Sequence, residues 1–189
     1  MRIAIIPARG GSVRVPRKNI REFRGKPMLH FPIDTARESD LFDLIVVSTD
    51  DEEIAATAFK RGATVVPREA DDGTAGTQDV AAGVLEKLGA RSGYACVIYA
   101  TTPLLDAQLL GDGYRALHAP RSKPFAYSVG PDGTDAGTYY WGWTHAFRSG
   151  IPLERGTRVM LPADRVCDIN TWDDWSRAES MFDALRRAS

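Results

Sequence analysis

The sequence predicts an α/β fold, a mostly parallel sheet in a three-layer α/β/α sandwich with a small β-ribbon extension. Three observations lead there. Short apolar or β-branched runs recur along the chain, helical patterns separate them, and the first run ends in a glycine-rich turn. Strands that alternate with helices need crossover connections, which make neighbouring strands parallel and cover the sheet on both faces.

The elements follow in order. Residues 2–6 read as a buried strand, and residues 44–48, 64–66, 95–99 and 125–129 as further short strands. Pro27 suits the first turn of a helix running to about residue 38, because a proline there gives up an N–H that has no partner anyway. Residues 51–61 place Ile54, Ala55, Ala58 and Phe59 at helical spacing, and residues 78–88 and 106–117 repeat the pattern. Asp50 and Asp51 suit the cap of the second of these helices. The segment "GPDGTDAG" is turn chemistry, and "TYYWGW" after it reads as an aromatic strand, residues 138–143, in a ribbon or at a sheet edge. Thr171 and Asp174 form a capping-box pattern for a C-terminal helix. Its Trp172, Trp175, Phe182 and Leu185 share a face that should dock on the sheet.

Composition narrows the function classes. The 189 residues suit one domain, 1–189. With 24 Lys and Arg against 25 Asp and Glu, no global charge favours nucleic acid or an acidic membrane surface. The longest apolar runs are strand-sized, and the first strand starts directly after Met1, so neither a membrane span nor a leader is expected. Cys96 and Cys167 lack metal-ligand spacing and fit a reduced, cytoplasmic protein. His30, His118 and His145 are scattered and are not read as ligands.

Charge is concentrated at the start. Between Arg2 and Lys26 there are eight Lys or Arg and one acid, Glu22. Within this block, "IIPARGGSVRVPRKN" leaves the first strand through Gly10 and Gly11. Exposed amides in such a turn bind phosphate oxygens, Ser12 adds a hydroxyl, and Arg9, Arg14, Arg17 and Lys18 add positive charge. Asn19 can both donate to and accept from a base or ribose. Neither the P-loop spacing nor the dinucleotide G-x-G-x-x-G is present. A triphosphate is the expected ligand.

These residues carry a resemblance. "IAIIPARGGSVRVPRKNI", "GKPML", "FDLIVVSTDDEEIAATAFKRGA", "IYATTPLL", "DAGTYYWG" and "DINTWDDWSRAESMF" resemble, in order, the CMP-sialic acid synthetase family, with pseudaminic acid cytidylyltransferases as the nearest branch. The resemblance implies a Rossmann-like nucleotide-diphospho-sugar transferase fold. It implies transfer of CMP from CTP to a 2-keto sugar acid of the pseudaminic or sialic type, with Mg2+ and release of pyrophosphate. Arg9, Gly10, Gly11, Ser12, Arg14 and Lys18 then fall at the CTP phosphates, Asn19 and Arg68 near the nucleoside, and Thr77 near the nucleotide or the sugar. Tyr99, Asp135 and Gly137 fall at the acidic sugar, and Asp168 and Asn170 at the metal. Arg9, Lys18 and Asp168 take the catalytic positions. A homodimer is implied, with residues 130–150 as a shortened extension or dimerisation region.

The pattern departs from the family in three places. Val13 stands where the family has lysine, and Arg14 or Arg17 is left to compensate. "DIN" replaces D-I-D, so Asn170 keeps an oxygen but loses a charge, and weaker magnesium binding is expected. Only "GPDGT" remains where the family carries an insertion. These departures leave open a cytidylyltransferase for another acidic acceptor, such as a phosphonate or a smaller sugar acid, or a non-catalytic nucleotide-binding homologue.

Overall fold

The computed structural model describes residues 1–70, 75–121 and 123–188. Strand β1 (Arg2–Pro7) leads through a long loop into two short strands, β2 (Glu22–Phe23) and β3 (Lys26–Pro27), paired antiparallel. Helix α1 (His30–Glu38), β4 (Leu44–Thr49), α2 (Glu52–Lys60), β5 (Thr64–Pro67), α3 (Thr77–Lys87) and β6 (Tyr94–Ile98) alternate as expected. Helix α4 (Ala107–Leu117), β7 (Phe125–Val129), β8 (Asp135–Trp143), the short α5 (Thr144–Arg148), β9 (Thr157–Met160) and α6 (Trp172–Ala188) complete the order. No helix among the described residues is long and apolar enough to cross a membrane.

The sheet order is β5-β4-β1-β6-β8-β7-β9. Strand β8 runs antiparallel to both its neighbours, while the other pairings are parallel. Strand alternation then sorts side chains between two cores. Ala4 and Ile6 of β1 join Ile33, Ile54, Ala58 and Leu110 under α1, α2 and α4. Ile3 and Ile5 face the other way, toward Ala81, Val84 and Leu85 of α3 and Phe147 of α5. A third cluster joins Val15, Phe23 and Phe31 to Ile169 and Trp175.

Several expectations are corrected. Helix α1 begins at His30, and Pro27 pairs with Glu22 in β3. Pro32 takes the first-turn position instead, where a missing N–H costs no helical hydrogen bond. Phe59 points to solvent at 75% exposure, so the buried stripe of α2 is Ile54 and Ala58. The aromatic strand lies inside the sheet and is neither an edge nor a free ribbon. Tyr139 and Trp141 are buried on the α4 side and Tyr140 on the α3 side, so these rings cannot also serve a subunit contact or stack on a base. Helix α6 packs on the third cluster, against Phe23 and Phe31, and leaves Trp172 48% exposed over Arg21.

Trp141 shows why β8 must be internal. Its ring stacks on Phe42 at 4.9 Å and meets Tyr114 at 5.0 Å, and its indole N–H donates to the Leu110 carbonyl at 3.0 Å. Trp141→Ala should cost about 3–5 kcal/mol in urea unfolding, from lost burial and the cavity left behind. Phe59→Lys should stay within about 0.5 kcal/mol, because its ring is already in water.

Candidate active site

The cation-rich loop emerges at the carboxyl end of β1, and its shape comes from local hydrogen bonds. The Ala8 N–H donates to the Ser48 carbonyl at 2.9 Å, keeping the chain beside β4 for one residue past the strand. Ser12 N–H reaches the Gly10 carbonyl at 3.0 Å, and the Ser12 hydroxyl donates to the Val15 carbonyl at 2.8 Å. Asn19, almost fully buried, donates its amide to the Arg9 carbonyl at 2.8 Å.

Two aspartates at the end of β4 anchor this loop. Asp50 accepts from the Gly10 N–H at 2.9 Å. Asp51 caps α2 by accepting from the Ile54 N–H at 2.9 Å, and it also pairs with Arg17. Of the two acids expected to cap the helix, Asp51 does so, and Asp50 holds the loop. Gly10 is required by contact, since a Cβ there would lie 2.6 Å from Asp51 Oδ2. Arg17 sits at φ 58° and pairs with Glu53 as well. It is therefore spent on the loop's anchorage, and of the two arginines left to compensate for Val13, Arg14 is the one that lines the cleft.

That cleft has a volume of about 300 Å³. Arg9, Ser12, Val13, Arg14, Lys18 and Asn19 from the loop line it together with Arg68, Thr77, Tyr99 and Asn170. Segments far apart in sequence thus meet at one end of the sheet. Arg68 is placed by its N–H donating to the Thr49 carbonyl at 3.0 Å, just past β5. Thr77 opens α3; in the "TAGT" segment before it, Thr74 lies outside the described residues. Tyr99 directly follows β6, and its N–H donates to the Thr138 carbonyl of β8 at 2.9 Å.

Asp135, Gly137 and Asp168 form the adjoining wall. Asp135 Oδ1 accepts from the Gly137 N–H at 2.9 Å, and Gly137 sits at φ 59°, the left-handed region that glycine enters without strain. A Cβ on Gly137 would stand 3.5 Å from Asp168 Cγ. Burial raises the Tyr99 phenol above its ordinary range, and the nearby Asp135 and Asp168 carboxylates push it the same way.

The irregular segment before α6 closes the site. Ile169 is buried in the third cluster with Val15, which brings residues 168–170 against the loop. Lys18 donates to the Ile169 carbonyl. Burial lowers the Lys18 pKa, with Arg14 and Arg9 adding to the effect and Asp168 opposing it. Asn170 donates to Asp168 Oδ2 at 2.5 Å and accepts from Arg14 Nη2 at 3.2 Å. The capping box of α6 holds its backbone, with Asp174 Oδ2 accepting from the N–H groups of Asn170 at 3.1 Å and Thr171 at 2.9 Å. Among the described residues, no three His, Cys, Asp or Glu side chains converge as a metal-holding group.

One supporting residue escaped the sequence reading. Tyr140 donates its hydroxyl to Thr77 Oγ1 at 2.9 Å, bracing the start of α3 beneath the cleft. Alternation within "TYYWGW" separates Tyr139 from Tyr140 by face, but it cannot say which face lies under the cleft.

A family model described as cytidylyltransferase matches residues 3–133. The chain is 32% identical over 221 aligned residues to the pseudaminic acid cytidylyltransferase of Campylobacter jejuni, covering 95% of each. That alignment is longer than this chain's 189 residues, so the relative carries residues that are missing here. Over 86 residues it is 44% identical to the CMP-N,N'-diacetyllegionaminic acid synthase of Legionella pneumophila, covering 46% of this chain and 37% of that one. Among solved structures, a CMP:2-keto-3-deoxy-manno-octonic acid synthetase complexed with CTP superposes at a TM-score of 0.77, with 15% identity over 97% of this chain and 99% of that one. Rv0371c of Mycobacterium tuberculosis, in complex with manganese, gives 0.72 with 18% identity over 95% and 97%.

The loop anchorage can be tested through Asp51. Asp51→Ala should cost about 1–2 kcal/mol, mostly the helix cap, since the half-exposed Arg17 pair adds little. The Arg17 hydrogen bond holds the Asp51 carboxyl below its ordinary range. Its contribution is therefore complete above the ordinary aspartate value of about 3.9 and disappears as pH falls through the lower folded value. Urea unfolding of both proteins should thus differ at neutral pH and converge in acid.

Proposed function

The chain belongs to the cytidylyltransferase family, and on that premise we propose that it transfers CMP from CTP to a 2-keto sugar acid of the nonulosonic type. The observation that carries this reading is the cleft itself, where Arg9, Lys18, Asn19, Arg68, Thr77, Tyr99 and Asn170 meet although five separate segments supply them. Folding alone does not require three cations and a buried amide around one opening. The relatives named for pseudaminic and legionaminic acids supply the substrate class.

In this reading Arg9, Arg14 and Lys18 gather the phosphates, supported by the amides of Gly10 and Gly11 and the Ser12 hydroxyl. Asn19, Arg68 and Thr77 receive the nucleoside. Tyr99, Asp135 and Gly137 face the acceptor. The anomeric hydroxyl oxygen forms a bond to the α-phosphorus, the bond from that phosphorus to the bridging oxygen of pyrophosphate breaks, and the hydroxyl proton is released. The protein's part is to align donor and acceptor and to offset charge on the leaving group. Arg9 and Lys18 act on that charge directly.

The donor types at residues 168 and 170 suit magnesium once the Asn170 amide oxygen, which here accepts from Arg14, turns toward the Asp168 side. One exposed carboxylate, Asp168, and one amide oxygen, Asn170, suit a hard cation that completes its shell with phosphate and water oxygens. Such an ion would neutralise phosphate charge when bound. A structural neighbour solved with manganese supports a divalent ion. The resemblance carries a homodimer into the same proposal. Cys96 and Cys167, both buried free thiols, suit the cytoplasm. The short turn of residues 130–134 keeps a different acidic acceptor as the second reading, because it leaves less chain to enclose a sugar.

Thermal unfolding with CTP and other nucleoside triphosphates, with and without magnesium, is the direct test. CTP should raise the midpoint by mass action. Pyrophosphate release should then appear with a 2-keto sugar acid. If no triphosphate stabilises the chain, the reading fails.

Lys18 makes a second prediction. A triphosphate beside it restores the favourable field that burial removes, so its pKa rises on binding. CTP binding at alkaline pH should therefore take up protons, seen as a calorimetric heat that depends on the buffer. Lys18→Met should abolish that uptake.

A further inference from the structure

The turn of the loop carries an uncharged Val13, and Asn170 meets Arg14 with a neutral amide. Val13 is 86% exposed at the opening and offers no charge. Arg17 is held by Asp51 and Glu53. Arg14 is therefore the cation at the turn of the loop that can still reach a phosphate. Among the described residues, no carboxylate pairs with it, and its guanidinium rests on the Asn170 amide oxygen at 3.2 Å.

The orientation of that amide follows from its neighbours. Its NH2 must face the Asp168 carboxylate, at 2.5 Å, so its oxygen faces the guanidinium. The backbone is fixed by Asp174. Asn170 thus holds Arg14 at a defined place through one hydrogen bond to a neutral acceptor. A carboxylate in the same position would form a charge-assisted pair with the guanidinium, roughly twice as strong per bond and open to two-pronged geometry.

We propose that Asn170 is a positioning residue whose neutrality keeps Arg14 exchangeable: Asn170 parks the guanidinium beside the cleft and releases it to the incoming triphosphate. With Val13 uncharged and Arg17 engaged by Asp51 and Glu53, the turn of the loop cannot leave Arg14 locked in an ion pair as well. The transfer also frees the amide oxygen of Asn170. This inference rests on the reading that the cleft takes CTP.

The test is metal-free CTP binding, measured by calorimetry in EDTA, for the wild type, Asn170→Asp, Arg14→Gln and the double variant. Asn170→Asp should weaken binding about tenfold when Arg14 is present but only about twofold in the Arg14→Gln background, a coupling that a double-mutant cycle isolates. Equal losses in both backgrounds would show that the new charge merely repels the nucleotide, and would overturn the proposal. Asn170→Ala removes the parking oxygen without adding charge, so it should weaken binding less than Asn170→Asp does. An equal or larger loss would assign Asn170 a direct nucleotide contact and also overturn it. Thermal unfolding of each variant reports whether the fold is kept. A wild type that fails to bind CTP even with magnesium would sink the cytidylyltransferase reading itself, whereas a binding wild type with an additive cycle sinks this inference alone.

Discussion

Asp50 and Asp51 hold a loop that would otherwise repel itself. Four cationic side chains, Arg9, Arg14, Arg17 and Lys18, lie within ten residues, and Arg21 stands just beyond. With no ligand present, their mutual repulsion favours an open loop. The two aspartates at the end of β4 oppose that, one through the Gly10 amide and the other through Arg17. Because Asp51 also caps α2, the loop's position is tied to a helix packed on the sheet. The cleft is built outward from this anchorage. Asn19 closes back on Arg9, Lys18 reaches residue 169, and Arg14 reaches residue 170.

A division of labour among the cations follows. Arg17 is structural, and its guanidinium is satisfied before any ligand arrives. Lys18 is partly desolvated, which makes its charge costly where it stands. Arg14 stands between these extremes, held by a neutral partner. A count of basic residues in the loop treats all three alike. Their partners separate them.

The opposite wall depends on packing. Strand β8 enters between β6 and β7 because its aromatic side chains need burial on both faces, and Gly142 admits the Phe125 ring where a Cβ would stand 2.4 Å away. Its first residues then form the turn of Asp135 and Gly137 beside Asp168. Tyr140, two strand positions before Gly142, steadies Thr77 from below. An element that reads as an appendage is therefore part of the frame of the cleft.

Much of this was present in the order of residues. The alternation of apolar runs and helical patterns determined an α/β sheet, since burial on two faces and crossover connections leave few other arrangements. The glycine turn with its arginines, Lys18 and Asn19 placed a cluster of cations at the end of the first strand, because those residue types are a local chemical property. The capping box at Thr171 and Asp174 was equally local. What the tertiary structure decided were the partners across long separations: Arg17 to Asp51 rather than to the cleft, Arg14 to Asn170, Asp50 to Gly10, β8 inside the sheet, and α6 on Phe23 and Phe31. Charge and hydrophobicity are written in each residue, but which charge meets which depends on how the layers stack, and no spacing along the chain encodes that.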